Sequence, residues 1–208
     1  MAAAIPWGWY GGADGGASEA LTASAAIALL TAVVLAFIGK GSDDTVRLRD
    51  ALVVVTVGWL AACVLGALPY TLSGAIPAFH DAIFESVSGF TTTGATILSA
   101  EQIETFPLSL HFWRVTTHWL GGLGIVVLFV ALFPQLGVGA KHLFKSEVPG
   151  PITEGLRPKI KQTAVALWWI YVGLTGLESL LLIWAGLEPF DAIAHSMSTL
   201  ATGGFSTR

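Results

Sequence analysis

Apolar residues form four long runs along the chain, and each run is long enough to cross a lipid bilayer as a helix. The runs cover residues 21–38, 51–72, 108–133 and 163–187, each of 18 residues or more. A helix rises 1.5 Å per residue, so about 20 apolar residues span a hydrocarbon core of about 30 Å. The pattern predicts an all-α polytopic membrane protein.

The composition excludes the main alternatives to a membrane protein. Of the 208 residues, 54% are hydrophobic and only 12% are charged, whereas about 25% of a soluble domain is charged. The same low polarity excludes a disordered chain. The 24 glycines follow no triplet period, which excludes collagen. One cysteine, Cys63, provides neither an internal disulfide nor a zinc-binding spacing.

Basic residues are concentrated between alternate runs, and this predicts an orientation. Eight of the ten Lys and Arg residues lie between the first and second runs or between the third and fourth. The N-terminal stretch and the remaining connections carry acids instead. Because short loops rich in Lys and Arg stay in the cytoplasm, we expect a multi-pass protein of the plasma membrane with its N-terminus outside.

A segment of sixteen residues that follows the second run recurs after the fourth run. Residues 81–96 and 191–206 align without a gap at an offset of 110, and seven of the sixteen positions are identical. The preceding runs keep this offset, since Trp59 aligns with Trp169. We interpret the pattern as a duplication of a long helix, a short amphipathic helix and a segment rich in Thr and Gly.

The repeated segment has the layout of an ion-selectivity filter. A helix of ten to fourteen residues is too short to span the membrane and indicates a re-entrant element. In a filter, backbone carbonyls replace the hydration shell of the ion, and glycine adopts the φ angles that turn carbonyls inward. The alternative is that the two segments are ordinary external loops. The occurrence of two copies of the segment at one offset disfavours this alternative.

These segments resemble the TrkH-type subunits of the Trk/Ktr/HKT superfamily of potassium transporters. Residues 84–95 are similar to the first pore loop of that family, 113–125 to the following helix, 134–139 and 147–151 to its cytoplasmic continuation, and 202–207 to the second pore loop. The resemblance extends from about residue 46 to the end of the chain.

The resemblance implies helix–pore loop–helix repeats, with re-entrant pore helices and extended filter segments, and four such repeats around one pore. It implies potassium uptake across the plasma membrane, with potassium as the substrate and no covalent cofactor. The implied partners are membrane lipid, a cytoplasmic nucleotide-binding regulatory subunit and a second full-length copy, with no nucleic acid. It assigns ion binding to Thr92, Thr93, Gly94, Thr202, Gly203 and Gly204, with potassium at Gly94 and Gly204.

The chain divides into four expected parts. They are an N-terminal segment with one transmembrane helix (1–45), a first repeat (46–140), a cytoplasmic connector (141–158) and a second repeat up to its filter (159–208). The basic connector is either a docking surface for the regulatory subunit or a plain orientation signal. With two pore loops rather than four, we expect about half of a transporter, which does not conduct alone.

Two charged residues accompany the first pore loop. Glu85 on the short helix either attracts cations, braces the filter backbone by hydrogen bonds, or is a solvated acid of an external loop. His195 occupies the aligned position, so no fourfold acidic ring is possible. Arg114 pairs with Glu85, Glu101 or Glu104, or extends to the lipid headgroups.

No motif indicates an enzyme. His111 and His118 lie seven residues apart, but no third metal ligand has a useful spacing. The chain contains neither a metalloprotease nor a serine hydrolase motif. The alternative to a transporter is a non-conducting membrane scaffold or assembly subunit that retains the fold.

Overall fold

The computed structural model describes residues 1–11, 14, 16–40, 48–136 and 156–207, and within these ranges the chain is helical with no strand. After a short 3-10 turn at Ala2–Ala4, the helices are α1 (Ile5–Gly11), α2 (Ala17–Ile38), α3 (Leu48–Leu72), α4 (Phe79–Phe90), α5 (Ala100–Glu104), α6 (Leu108–Leu136), α7 (Leu156–Trp184) and α8 (Pro189–Leu200).

Long helices cover the four predicted apolar runs, apart from the last three residues of the fourth, and this confirms the prediction of an all-α membrane protein. Three segments, Ala17–Ile38, Leu52–Leu72 and Gln162–Trp184, are long and apolar enough to cross a membrane. The third predicted run corresponds to α6, a helix of 29 residues. The outer faces of α2, α3 and α7 expose large apolar side chains, of which Trp184 is 88% exposed. Such surfaces suit contact with lipid.

Two short helices occupy the positions predicted for pore helices. Both α4 and α8 have twelve residues, and each packs against the long helix that precedes it. Pro189 begins α8, where its fixed φ favours the first helical turn and its missing N–H needs no partner. Whether either helix enters the membrane as a re-entrant element stays a prediction.

Helix α6 contacts both short helices and thereby joins the two repeats. The close approach of α6 to α4 is possible because Gly121 has no side chain. A Cβ at this position would lie only 2.2 Å from the Phe90 carbonyl oxygen. The ring of Phe90 in turn contacts Trp59 and Trp113, at centroid distances of 6.3 Å. Phe90 therefore lies in a buried cluster where α3, α4 and α6 meet, and a second buried cluster joins α6 to α8.

The N-terminal segment is part of this packing rather than a separate unit. Trp7 on α1 lies between Phe112 of α6 and Phe190 of α8, with ring centroids at 5.4 and 5.1 Å. The Asp14 carboxylate accepts a hydrogen bond from Ser109 Oγ at 2.6 Å. The sequence pattern did not predict α1, because seven residues are too few to show helical periodicity.

Helix α7 begins at Leu156, inside the range expected for the connector. Pro158 is the third residue of this helix, a position where the missing N–H would have had no helical partner. The rest of the predicted connector, from residue 141 to 155, lies outside the described residues, and so does its predicted role as a docking surface.

Candidate functional site

The chain leaves both short helices along the same backbone path. We call residues 91–97 the first tail and residues 201–207 the second tail. Thr92 and Thr202 adopt left-handed conformations, with φ of 55° and 54°, and Gly94 and Gly204 have φ of 75° and 97°. A left-handed residue with a side chain costs about 1–2 kcal/mol. The duplication therefore repeats a strained backbone, which the surrounding structure must maintain.

Hydrogen bonds to the helix ends orient the peptide groups of both tails. The Thr93 N–H donates to the Ser88 carbonyl at 3.0 Å. In the second tail, the Gly203 N–H donates to the Ser198 carbonyl at 2.9 Å. In a planar trans peptide the C=O points opposite to the N–H. The carbonyl of the threonine that precedes each donor therefore points away from its helix.

The two tails lie in contact with each other. A Cβ on Gly94 would lie 1.9 Å from the carbonyl oxygen of Gly203 and 3.5 Å from the Cα of Gly204. Only glycine permits this approach. The structure thus brings the two predicted filter segments together on one side of the protein.

The outer side of the tails is open. Thr93, Thr202 and Gly204 are exposed, Thr92 and Gly94 are half-buried, and Gly203 is buried against α6. Carbonyl and hydroxyl oxygens are the ligands that dehydrated alkali cations accept. Both tails carry such oxygens on their exposed side, and neither tail contains a charged side chain.

Glu85 braces the first tail. Its side chain is completely buried, and Arg114 Nε donates to Oε1 at 2.7 Å. Thr96 Oγ1 lies 2.9 and 3.0 Å from the two carboxylate oxygens, and the Ile97 N–H donates to Oε2 at 3.2 Å. The interpretation of Glu85 as a solvated acid of an external loop is therefore wrong. Because the carboxylate is buried in an ion pair with Arg114, its geometry favours bracing over attraction of cations.

Arg114 extends the same brace to the second tail. Its Nη1 lies 3.4 Å from the Ser206 carbonyl, and its Cζ lies 4.0 Å from the centroid of the Phe205 ring. The side chain is 1% exposed. Of the partners that the sequence left open, Glu85 is the one observed, and burial excludes extension to the headgroups. One ion pair thus contacts both tails.

The second tail has supports of its own. Thr207 Oγ1 donates to Asp191 Oδ1 at 2.8 Å, which ties the end of the tail to the start of α8. The imidazole of His118 is fully buried and stacks on Phe205 with a centroid distance of 3.9 Å. His195, aligned with Glu85, is half-buried.

The two histidines of α6 contact different parts of the protein. His111 Nε2 lies 2.8 Å from the Ile103 carbonyl, whereas His118 Nδ1 lies 3.3 Å from Ser198 Oγ. Among the described residues, no group of three His, Cys, Asp or Glu side chains could hold a metal ion. Sequence reasoning considered His118 only as a metal ligand and missed its contact with the second tail, for which spacing gives no signal.

Comparison with known proteins adds independent information. The family model described as "TrkH: Cation transport protein" matches residues 17–208. The Trk system potassium uptake protein TrkH of Halomonas elongata is 41% identical over 191 residues, which cover 91% of this chain and 39% of that protein. TrkH of Salmonella typhimurium is 42% identical over 194 residues, which cover 92% of this chain and 40% of that protein.

A solved structure is similar as well. The crystal structure of the potassium transporter TrkH from Vibrio parahaemolyticus matches with a TM-score of 0.78 and 34% identity, over 93% of this chain and 38% of that one. The chain spans about two fifths of the length of the curated relatives that it matches. The matching family model covers nearly all of this chain, and the fold agrees. The chain therefore belongs to the TrkH family of cation transport proteins.

Proposed function

We propose that this protein takes part in potassium uptake across the plasma membrane, and that its two tails are strands of the selectivity filter. The observation that carries the proposal is the repeated left-handed backbone at Thr92 and Thr202, with Gly94 in contact with Gly203. The relatives named as potassium uptake proteins support potassium as the ion. The chain acts as a transporter subunit rather than an enzyme.

In this mechanism the ion exchanges water for backbone oxygens. Carbonyls of Thr92, Thr93 and Gly94, and of Thr202, Gly203 and Gly204, supply the first shell on two sides of the ion path. Glu85, the acidic side chain that contacts the first tail, does not compete for the ion because it is paired with Arg114. Selectivity then depends on how the carbonyls are placed and how firmly the braces hold them.

Two strands contribute half of a ring of carbonyls. We propose that the remaining half comes from further repeats of the same kind around one pore, as the family resemblance implies. The proposed assembly is a dimer of full-length subunits in the inner membrane, with the N-terminus of this chain outside. A cytoplasmic nucleotide-binding subunit docks on the basic connector and regulates the pore.

Ion uptake tests the proposal. The protein is expressed from its whole gene in a bacterium that lacks potassium uptake, and potassium uptake is measured in competition with sodium. We expect uptake that prefers potassium, and loss of this preference in Gly94→Ser. Gly74→Ser is the matched control, since Gly74 has the same φ of 75° with no atom near its Cβ position.

Two outcomes would contradict the proposal. The wild-type protein could reach the membrane without transporting potassium, which would favour a non-conducting scaffold or assembly subunit. Alternatively, Gly94→Ser and Gly74→Ser could have equal effects on the potassium preference, which would remove the first tail from the ion path.

A further inference from the structure

The side chain of His118 packs against the second tail, at Phe205 and Gly203. Its ring is fully buried and nearly parallel to that of Phe205, with 20° between the planes. A Cβ on Gly203 would lie 2.3 Å from Nδ1. The imidazole therefore fills the space that a side chain on Gly203 would occupy.

Two hydrogen bonds in series connect the ring to the tail. His118 Nδ1 lies 3.3 Å from Ser198 Oγ, and the Gly204 N–H donates to the same oxygen at 3.1 Å. A hydroxyl that accepts one hydrogen bond keeps its own hydrogen for a second partner. We assign Ser198 as the donor to Nδ1, the arrangement in which its one hydrogen and a lone pair are both used; the ring hydrogen then lies on Nε2, which has no hydrogen-bond partner among the described residues.

This arrangement fixes the direction of one carbonyl. The N–H of Gly204 and the carbonyl of Gly203 belong to the same peptide group, and in a trans peptide they point in opposite directions. With the N–H held by Ser198, the Gly203 carbonyl points toward the first tail. The short distance between its oxygen and the Cβ position of Gly94 agrees with this direction.

In the first tail the aligned serine hydroxyl donates a hydrogen bond to the backbone of the tail, rather than accepting one from it. Ser88, which aligns with Ser198, donates its hydroxyl hydrogen to the Ala95 carbonyl at 2.5 Å. In the second tail the serine accepts from the backbone instead. The partner of the hydroxyl hydrogen therefore differs between the tails: it is a backbone carbonyl of the tail for Ser88 and Nδ1 of His118 for Ser198.

We propose that His118 is a positioning residue for ion selectivity, which acts through Ser198 to hold the Gly203 carbonyl toward the ion path. The inference rests on the proposed function and deepens it. It names a buried side chain outside the tails that determines which alkali cation the second tail accepts. Its contribution is the hydrogen-bond acceptor at Nδ1, and the volume of the ring is secondary.

Two substitutions separate the acceptor from the ring. His118→Phe keeps a ring against Phe205 but removes the acceptor, and His118→Asn keeps an acceptor atom at the same distance from Cβ but shortens the side chain. His111→Phe is the matched control, since His111 is also buried on α6 and bonds to Ile103 rather than to a tail. Each variant is expressed from the whole gene, and potassium and sodium uptake are normalised to the amount of protein in the membrane.

We expect His118→Phe to lower the preference for potassium over sodium about three- to tenfold, the effect of one lost hydrogen bond. We expect His118→Asn to retain most of the preference and His111→Phe to leave it unchanged. Ser198→Ala should reproduce the effect of His118→Phe, and the double variant should be no worse than either one. The Ser198 variant also serves if His118→Phe does not fold.

The inference is overturned if Ser198→Ala and His118→Phe keep the wild-type preference, or if His118→Asn loses as much as His118→Phe. Either result leaves the proposed function intact, provided that the wild-type protein prefers potassium. A wild-type protein that shows no preference for potassium would instead contradict the proposed function, together with the inference that rests on it.

Discussion

The first and second tails share their backbone but differ in the side chains that hold it. Thr92 and Thr202 have φ angles within one degree of each other. The first tail is held by the carboxylate of Glu85, whereas the second is held by Asp191 and by the ring of His118. The two segments share their backbone geometry and differ in the side chains that support it. A common role of the tails therefore depends on backbone atoms rather than on side chains.

The tails also differ in how tightly they are packed. A Cβ on Gly94 would overlap the Gly203 carbonyl, whereas a Cβ on Gly204 meets no atom within 4 Å. Both glycines have positive φ, so a side chain at either position strains the backbone. A substitution at Gly204 therefore introduces backbone strain alone, whereas one at Gly94 introduces backbone strain and a steric clash.

The largest effect on stability is expected at Glu85. Glu85→Gln leaves the Arg114 charge buried without its partner, which costs about 3–5 kcal/mol. His195→Gln, at the aligned position of the second copy, should cost much less because His195 is only half-buried. Thermal unfolding of both variants in detergent measures the difference. Equal losses would show that the buried ion pair of Glu85 with Arg114 is not a major support of the first tail.

A large effect on transport is expected at Gly94. Gly94→Ala combines backbone strain with overlap of the Gly203 carbonyl, and we expect potassium uptake to fall about tenfold or more. Gly204→Ala has the strain without the overlap and should reduce uptake less. Uptake rates at equal membrane abundance test the order. A greater loss at Gly204 would contradict the observed packing of the tails.

A smaller effect is expected when Gly204 is compared with a glycine outside the tails. Gly186 has φ of 98°, close to the 97° of Gly204, and neither has an atom near its Cβ position. Alanine at either site should destabilise the protein by about 1–2 kcal/mol. Only Gly204→Ala should also change the ratio of potassium to sodium uptake. A change of similar size in Gly186→Ala would show that the ratio reports stability alone.

The smallest effect is expected at the end of the second tail. Thr207→Val removes the hydrogen bond to Asp191 and should destabilise the protein by about 1 kcal/mol. Thr105→Val is the control, because the Thr105 hydroxyl is exposed and its contacts to the Glu101 and Gln102 carbonyls are long, at 3.3 Å. Unfolding temperatures that fall equally in both variants would exclude a bracing role for Thr207.

The sequence predicted those features of the fold that depend on local hydrophobicity and on the internal repeat. The apolar runs identified the long helices, and the 110-residue offset aligned Thr92 with Thr202 and Gly94 with Gly204. For Gly94 and Gly204 the reason is physical, because positive φ favours glycine in each copy.

The sequence did not predict which side chains meet. Arg114 contacts Glu85 across 29 residues and Ser206 across 92, and His118 reaches Ser198 across 80. Such contacts depend on how α6 packs against α4 and α8, and no local periodicity encodes that packing. For the same reason, several partners for Arg114 stayed open at the level of sequence, and His118 was interpreted only as a metal ligand.

The most direct test of the central claim is to locate the ion. A structure of the protein from its whole gene, determined in rubidium, would show this heavier potassium substitute by its anomalous scattering. We expect rubidium between the two tails, within coordination distance of backbone carbonyls from both residues 92–94 and residues 202–204. Rubidium bound only elsewhere, in a protein that transports it, would contradict the claim that the two tails form the ion path.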